Sequence, residues 1–404
     1  MAVANWSPAL SIVRLNSITE DTPFLICDLE TIERRYRELT ELIPGLAVFF
    51  AMKSNSSGPV LRQVHGLGGS FEVASVAEMR MAAAAGGAPA DMLYSNPVKA
   101  PDQIAEAAAA GLYRFAFDSE AELRKIAAHA PGASVYARLR VDDHTSLFPL
   151  SRKFGVSVQA AGDLLLLASE LGLVPYGLTF HVGSQCTNPM AWEGALDQCG
   201  TVMRRLLRAG VRLHMLNIGG GFPARYTAPV PDLSLIAAVI GNALGHLPYQ
   251  PPLLAAEPGR YLVAESGVLA ATVIGVDQRD GERWVYLDVG GYNGMMEAVQ
   301  TGGRWHFPLL TSRPDHFRAE TAPTTVTGPS CDSSDTLFYG AALPANLELG
   351  DRVYIGTAGA YTSAYASSFN GFPVPQLLYV GDREAVPGRH DHPTLVDAPV
   401  AVAV

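Results

Sequence analysis

Cysteine is scarce in this chain. Cys27, Cys186, Cys199 and Cys331 are spread over 404 positions with no C-x-x-C pair, which argues against a disulfide scaffold and a thiolate zinc site. No metal is expected, a reducing cytoplasm is the simplest setting, and two or three of the thiols should be inert core residues. Long apolar runs are missing too. Nothing approaches the ~18–20 residues of a membrane helix, and Met1 to Ser17 lacks the basic start and apolar core of a signal peptide. No Lys/Arg cluster relieves a net charge of −10, from 29 basic and 39 acidic residues, so neither nucleic acid nor a membrane is an expected partner. Internal repeats and low-complexity segments are absent. What remains, at 48% hydrophobic and 17% charged, is a folded protein long enough for two domains.

From residue 47 to about 263, short apolar strands alternate with alanine-rich or amphipathic helical stretches. Strands are expected at 47–53, 71–75, 92–96, 113–117, 134–141, 176–183, 213–219 and 252–257, with helices such as Val76 to Ala85, Pro101 to Ala110 and Ser119 to Ala130 between them. Pro101 sits where a first helical turn tolerates proline, and Ser119 ahead of Glu120 and Glu122 reads as an N-cap with acidic first-turn residues. Eight such units predict an α/β fold, a (β/α)8 TIM barrel, with a doubly wound open sheet as the alternative. Beyond about residue 265 the texture changes. Leu269 to Val276, Trp284 to Leu287, Arg352 to Ile355 and Gln376 to Val380 are short, β-branched or aromatic, and predict a C-terminal antiparallel β domain. The strand-like piece Phe24 to Cys27 could join it. The expected division is a barrel over 29–264 and a β-sandwich or β-barrel domain from 1–28 and 265–404, its end from His392 to Val404 a frayed tail.

Lys53 follows the apolar run from Ala47 to Met52. Taken alone, it reads first as a surface lysine just past a strand. At the C-terminal tip of a barrel strand it would instead point into the mouth of an active site, where a desolvated amine can form a Schiff base with an aldehyde. Position favours the second reading, because Lys53, Glu72, Asn96, Asp118, Arg140, His181, Gly219 and Glu257 all fall near the C-terminal ends of the eight expected strands. Asn96 and Asp118 could simply begin turns or cap helices. The run from Asn217 to Phe222 puts three glycines after a strand, where bare backbone N–H groups can approach a phosphate, though many such runs are plain turns. A lysine, a carboxylate, an imidazole and a phosphate cradle around one mouth suit pyridoxal 5'-phosphate.

At these residues the chain resembles the fold-type III pyridoxal phosphate decarboxylases, the group acting on ornithine, lysine, arginine and diaminopimelate, built on an alanine racemase-like barrel. The matching segments run from Pro23 to about Val380: Phe50 to Asn55, Phe117 to Leu123, Lys153-Phe154-Gly155, His181 to Gln185, Gly219 to Pro223, Glu257 to Tyr261, Gly328 to Asp335, Gly359 to Thr362 and Phe369 to Phe372. The resemblance implies roles. Lys53 would carry the cofactor, Glu257 would face its ring nitrogen and His181 would stack on its ring. Ser184, Gly220, Gly221, Gly259, Arg260 and Tyr361 would hold the phosphate, with Glu72 and Arg140 completing the cofactor set. Cys331 would return a proton to the substrate carbon. Asp332 would pair with the distal amine of a diamino acid, in a substrate site shared with Tyr361 and Phe369. Cys331 and Asp332 would serve the other subunit of a head-to-tail homodimer, so that two subunits complete two sites.

The resemblance is nearest to the bacterial ornithine/lysine branch, through Asn188-Pro189 and Ala191-Trp192 after the His181 segment. It implies decarboxylation of L-ornithine or L-lysine to putrescine or cadaverine, and a place in polyamine biosynthesis. Two departures stand out. A Tyr-Asp pair of eukaryotic ornithine decarboxylases falls at Thr301-Gly302, with Glu297 as a nearby substitute, and Glu72 replaces an aspartate common in the group. They keep open an arginine, diaminopimelate or specialised-metabolism substrate. Racemase chemistry is disfavoured because the Cys331-Asp332 motif occupies the region of the racemase tyrosine. A non-catalytic regulatory homologue is disfavoured because the catalytic residues are all present.

Overall fold

The computed structural model describes residues 10–381, so the tail expected at 392–404 lies outside the described residues. The chain divides into two compact units. One comprises Glu33–Ala224 and Val230–Leu262, and the other is formed by residues up to Ile32, Arg225–Pro229 and the chain from Val263 onward.

In the first unit, eight parallel strands close into a barrel in sequence order, which excludes the open sheet. They are β1 (Leu46–Ala51), β2 (Ser70–Val73), β3 (Leu93–Tyr94), β4 (Arg114–Phe117), β5 (Ser134–Arg138), β6 (Val174–Thr179), β7 (Met215–Asn217) and β8 (Leu253–Ala256). The expected Ser119 cap forms, its side chain accepting the Glu122 N–H, and the structure adds a second at Ser75, which accepts the Glu78 N–H; each satisfies a donor that the first helical turn leaves open. Inside the barrel, Phe49, Leu93, Ala116, Tyr136, Met215 and Ala255 pack as one buried layer contributed by six of the strands. Each large side chain of that layer is worth about 1.5–3 kcal/mol of burial.

The second unit is built on an eight-stranded sheet. Most of its pairs are antiparallel, as expected, but the sheet is mixed. Phe24–Asp28 pairs antiparallel with Gly267–Arg279 and parallel with Gln376–Val380, so the first and last of the described strands run side by side. Glu282–Leu287 also runs parallel to Thr321–Thr327. Its core includes Phe24, Ile26, Val268, Tyr354 and Leu378. Among the described residues, no helix is long and apolar enough to cross a membrane.

One buried ion pair ties the barrel mouth between β3 and β4. Lys99 Nζ lies 3.0 Å from Glu122 Oε1 and donates to the carbonyls of Asn96 at 2.9 Å and Ala116 at 2.6 Å. Burial, opposed by Glu122, brings the Lys99 ammonium from its usual 10.5 down to about 8. The folded value lies below that of a solvated lysine, so between about pH 8 and pH 10 the unfolded chain holds more protons and stability rises with pH. The stability of the wild type relative to Lys99→Met is therefore expected to increase over that window, by at most about 1.4 kcal/mol per pH unit. Denaturant titrations of both proteins at several pH values measure it; a flat or falling difference refutes the assignment.

Candidate active site

Strand alternation builds the site directly on the apolar layer. Successive inward positions on a strand are two residues apart. Counting two onward from Leu93, Ala116, Tyr136, Met215 and Ala255 gives Ser95, Asp118, Arg138, Asn217 and Glu257, a polar tier at the C-terminal mouth. Glu257 is its centre. Ser95 Oγ and Asn217 Nδ2 both donate to Oε1, the latter at 2.6 Å, while the Glu257 backbone N–H bonds Gly219 O at 2.8 Å. Burial pushes the Glu257 carboxyl up and the nearby Glu72 charge adds to this, opposed by Lys53 and by the two donated bonds.

Lys53 does not end its strand as expected. β1 stops at Ala51, and a short 3₁₀ turn, Met52–Ser54, swings the lysine to the mouth. Its side chain is 46% exposed, so desolvation is not what prepares it. Its amine is held instead at 2.8 Å from Oε2 of Glu72, whose own side chain is only 3% exposed. Glu72 lies on β2, in register with Ala51 on β1.

His181 follows β6. Its Nδ1 accepts the Gly183 N–H at 3.0 Å, which leaves the ring hydrogen on Nε2. Burial first, then the neighbouring Arg138 and Lys53 charges, hold its pKa well below the ordinary histidine value, so the ring is neutral near pH 7. The glycine turn follows β7 and needs its glycines. Gly219 has φ +66°, and a Cβ there would lie 1.9 Å from Phe180 O. A Cβ on Gly220 would come within 2.6 Å of Glu257 O and 3.1 Å of His181 Nε2. Beside the turn, the buried Arg260 donates through Nε to Ser184 Oγ at 3.2 Å. Gly259 packs its bare Cα against Ser54 and Ala51.

Arg140 is not part of this cluster. It is exposed, because β5 ends at Arg138 and the chain there turns to pair with residue 156, Arg140 N donating to Val156 O at 2.9 Å. Arg138 takes the inward position, where its charge is felt by His181 and burial lowers its own pKa, opposed by Glu257, Asp118 and Glu72. Asp118 accepts the Gly155 N–H at 2.9 Å and so anchors the Lys153-Phe154-Gly155 loop. Asn96 gives way to Ser95. Arg138, Ser95, Tyr136 and Asn217 were therefore missed, although the alternation around the apolar layer contained the signal.

A second cluster lies on the other unit, organised by the buried Asp335. Its Oδ1 accepts the Gly291 N–H at 2.7 Å, its Oδ2 the Ser330 N–H at 3.1 Å and its backbone carbonyl the Gly328 N–H at 2.9 Å. The loop closes so tightly that a Cβ on Gly328 would lie 2.4 Å from Asp335 Oδ2. Cys331 and Asp332 are thereby carried on its outer turn, Cys331 exposed with its Sγ accepting from Asn370 Nδ2 at 3.5 Å. The other three cysteines are buried. Asp332 Oδ2 accepts the Tyr292 hydroxyl at 2.7 Å, and Oδ1 accepts Ser334 N–H and Oγ–H at 2.9 and 2.8 Å. These bonds, that of Tyr292 foremost, hold the carboxyl below the usual carboxylate range. Tyr292, also missed, packs its ring 4.4 Å from that of Phe369. Tyr361 has left-handed backbone, φ +63°, and stacks on Tyr365 at 5.8 Å. Thr301 bonds back to the carbonyls of Glu297 and Ala298, Gly302 faces open space, and Glu297 is buried.

The barrel mouth fits pyridoxal phosphate. It offers an amine for an aldehyde, a buried carboxylate for a ring nitrogen, a neutral imidazole to lie on a ring, and side-chain-free backbone beside Arg260 and Ser184 for a phosphate. Comparison with known proteins points the same way. Residues 29–264, more than half of the chain, match the family of pyridoxal-dependent decarboxylases, pyridoxal binding domain. A lysine/ornithine decarboxylase of Selenomonas ruminantium is 35% identical over 369 residues, covering 91% of this chain and 92% of the relative. The crystal structure of the lysine/ornithine decarboxylase complexed with putrescine from Vibrio vulnificus superposes with a TM-score of 0.83 at 32% identity, over 92% of this chain and 98% of that one. The arginine decarboxylase of Paramecium bursaria Chlorella virus bound to agmatine gives 0.85 at 28% identity, over 92% and 100%. The chain belongs to the pyridoxal-dependent decarboxylases, carboxy-lyases that work with pyridoxal phosphate.

Proposed function

We propose that this decarboxylase acts on L-lysine or L-ornithine and releases carbon dioxide and the diamine. The observation that carries the substrate class is Asp332. It is an ionised carboxylate beside an exposed thiol, oriented by Tyr292 and Ser334, and so a partner for the distal ammonium of a diamino acid. In this reading Lys53 would hold the cofactor's aldehyde carbon, its amine positioned by Glu72 Oε2 at 2.8 Å. Glu257 would face the ring nitrogen, and His181, neutral in this site, would lie against the ring without adding positive charge. Ser184, Gly220, Gly221, Gly259 and Arg260 hold the phosphate, with Tyr361 as a further contact, and Arg138 takes the part first expected of Arg140. Bound there, the cofactor supplies an electron sink for the pair left on the substrate carbon when carbon dioxide departs. Cys331 Sγ then returns a proton to that carbon. Phe369, against Tyr292, walls the substrate's methylene chain.

The active unit is a homodimer with shared sites, Cys331 and Asp332 of each subunit completing the barrel mouth of the other. A second reading draws on the turn at 301–303. With Thr301 bonded back into its helix and Gly302 bare, the turn offers no second carboxylate, which suits a larger distal cation such as a guanidinium.

Mass detection of amines formed from a mixture of ornithine, lysine, arginine and diaminopimelate tests the assignment. Cadaverine or putrescine is the expected product; agmatine alone would favour the second reading, and no amine would defeat both. Asp332→Ala should raise KM for the preferred diamino acid about 10- to 100-fold and Tyr292→Phe less, about threefold, each with a smaller change in kcat. Equal losses in kcat with KM unchanged would remove Asp332 from substrate binding. Mixing inactive Lys53→Ala with inactive Cys331→Ala should restore about a quarter of wild-type activity, because half of randomly assorted dimers carry one intact site of two. No recovery after subunit exchange has been verified would rule out shared sites.

A further inference from the structure

Tyr136 carries a hydroxyl into the middle of the barrel's apolar floor. Its ring is fully buried in the layer with Phe49, Leu93 and Met215, and a phenol in such surroundings needs a partner. The partner is Ser95 Oγ at 2.7 Å, and Ser95 Oγ in turn reaches Glu257 Oε1. Chemistry sets the direction of this chain. An ionised carboxylate only accepts, so Ser95 donates its hydrogen to Glu257 and its lone pairs accept from Tyr136. Tyr136 can fill that role because burial, reinforced by the Glu257 charge, pushes its pKa well above the ordinary tyrosine value and keeps the phenol protonated. Asn217 approaches the same oxygen from the other side. Its Oδ1 accepts the Gly219 N–H at 2.9 Å, which points Nδ2 at Glu257 Oε1. The three groups come from alternate strands, β3, β5 and β7, and converge across the barrel on an oxygen supplied at the end of β8.

We propose that Ser95, oriented from below by Tyr136, is a positioning residue that fixes the Glu257 carboxylate through Oε1 in the acceptor-only state a protonated ring nitrogen requires. The inference rests on the reading of Glu257 as the ring-nitrogen partner. Neither Ser95 nor Tyr136 touches the ring in this scheme; both act through Glu257. Removing the Ser95 hydroxyl leaves a buried carboxylate with fewer donors, so it is held less firmly and less fully ionised, and the cofactor is bound more weakly.

The test measures pyridoxal phosphate binding to the full-length apoenzyme, by absorbance and fluorescence titration, together with the melting temperature of the apoenzyme. Ser95→Ala should bind the cofactor about tenfold more weakly, equivalent to about 1.4 kcal/mol, while its apoenzyme still folds and melts cooperatively at a somewhat lower temperature, since the Tyr136 hydroxyl loses its partner. Tyr136→Phe should weaken it about threefold, and Ser95→Ala/Tyr136→Phe should be no worse than Ser95→Ala, because Tyr136 acts only through the serine. Glu257→Gln serves as the reference. If Glu257→Gln weakens binding while Ser95→Ala stays within twofold of wild type, or if the double variant shows additive losses, the relay is overturned. Unchanged binding and an unchanged cofactor spectrum in Glu257→Gln would overturn the reading of Glu257 itself.

Discussion

A carboxylate buried at the mouth of a barrel is the constraint around which this half of the molecule is arranged. Taken out of water without donors, Glu257 would protonate. The barrel answers with two donated hydrogen bonds to one oxygen, one of them backed by a phenol from the floor below. Each donor is fixed by something else. Asn217 is locked by the glycine turn, Ser95 by Tyr136, and the loop carrying Ser95 and Asn96 is pinned through Lys99 and its ion pair with Glu122. Closure of the sheet is what allows residues on β3, β5, β7 and β8 to meet across one axis. The same alternation that fills the floor with apolar side chains delivers the polar tier directly above it.

The second unit uses a buried carboxylate differently. Asp335 never reaches solvent. Its three acceptor atoms gather the N–H groups of Gly291, Ser330 and Gly328, and so fold the loop tightly enough to present Cys331 and Asp332 on its outer turn. A loop held this way can carry reactive side chains at the surface without those side chains stabilising it. That separation explains why Cys331 is exposed while Cys27, Cys186 and Cys199 are buried in packed surroundings.

Much of this was legible in the chain itself. All eight barrel strands, the three helices named between them and the Ser119 cap follow from apolar runs and capping residues, because those signals are local. Lys53, Glu72, His181, Glu257 and the glycine turn were legible as polar or bare positions at strand ends. Arg140 misled because the end of β5 is not local: it depends on the chain returning at residue 156 to take up the Arg140 N–H. One pairing thus transferred the inward role from Arg140 to Arg138. Ser95, Tyr136 and Asn217 were overlooked for a related reason. A serine, a tyrosine and an asparagine look like ordinary strand and turn residues until closure shows that they share a parity and face one another. The parallel pairing of the first strand with the last could not be read either, since nothing in the residues 24–28 states which neighbour 376–380 will choose.

The charges at the mouth also cancel in pairs, and this bears on how the site divides its work. Lys53 stands against Glu72 at 2.8 Å, Arg138 lies in the field of Glu257, and His181 contributes no charge because burial and two neighbouring cations disfavour its protonation. A neutral arrangement of this kind gives little net attraction to an anion as a whole. On the proposed reading a phosphate would be recognised locally, by Arg260 and the bare backbone of the glycine turn, and the ring by Glu257 and His181. Separate recognition of the two ends would set the cofactor's orientation as well as its affinity: a phosphate in the cradle could not also satisfy Glu257, and a ring nitrogen could not use the glycine turn. On that reading Lys53 would be left with a single task, its amine positioned by Glu72 at 2.8 Å.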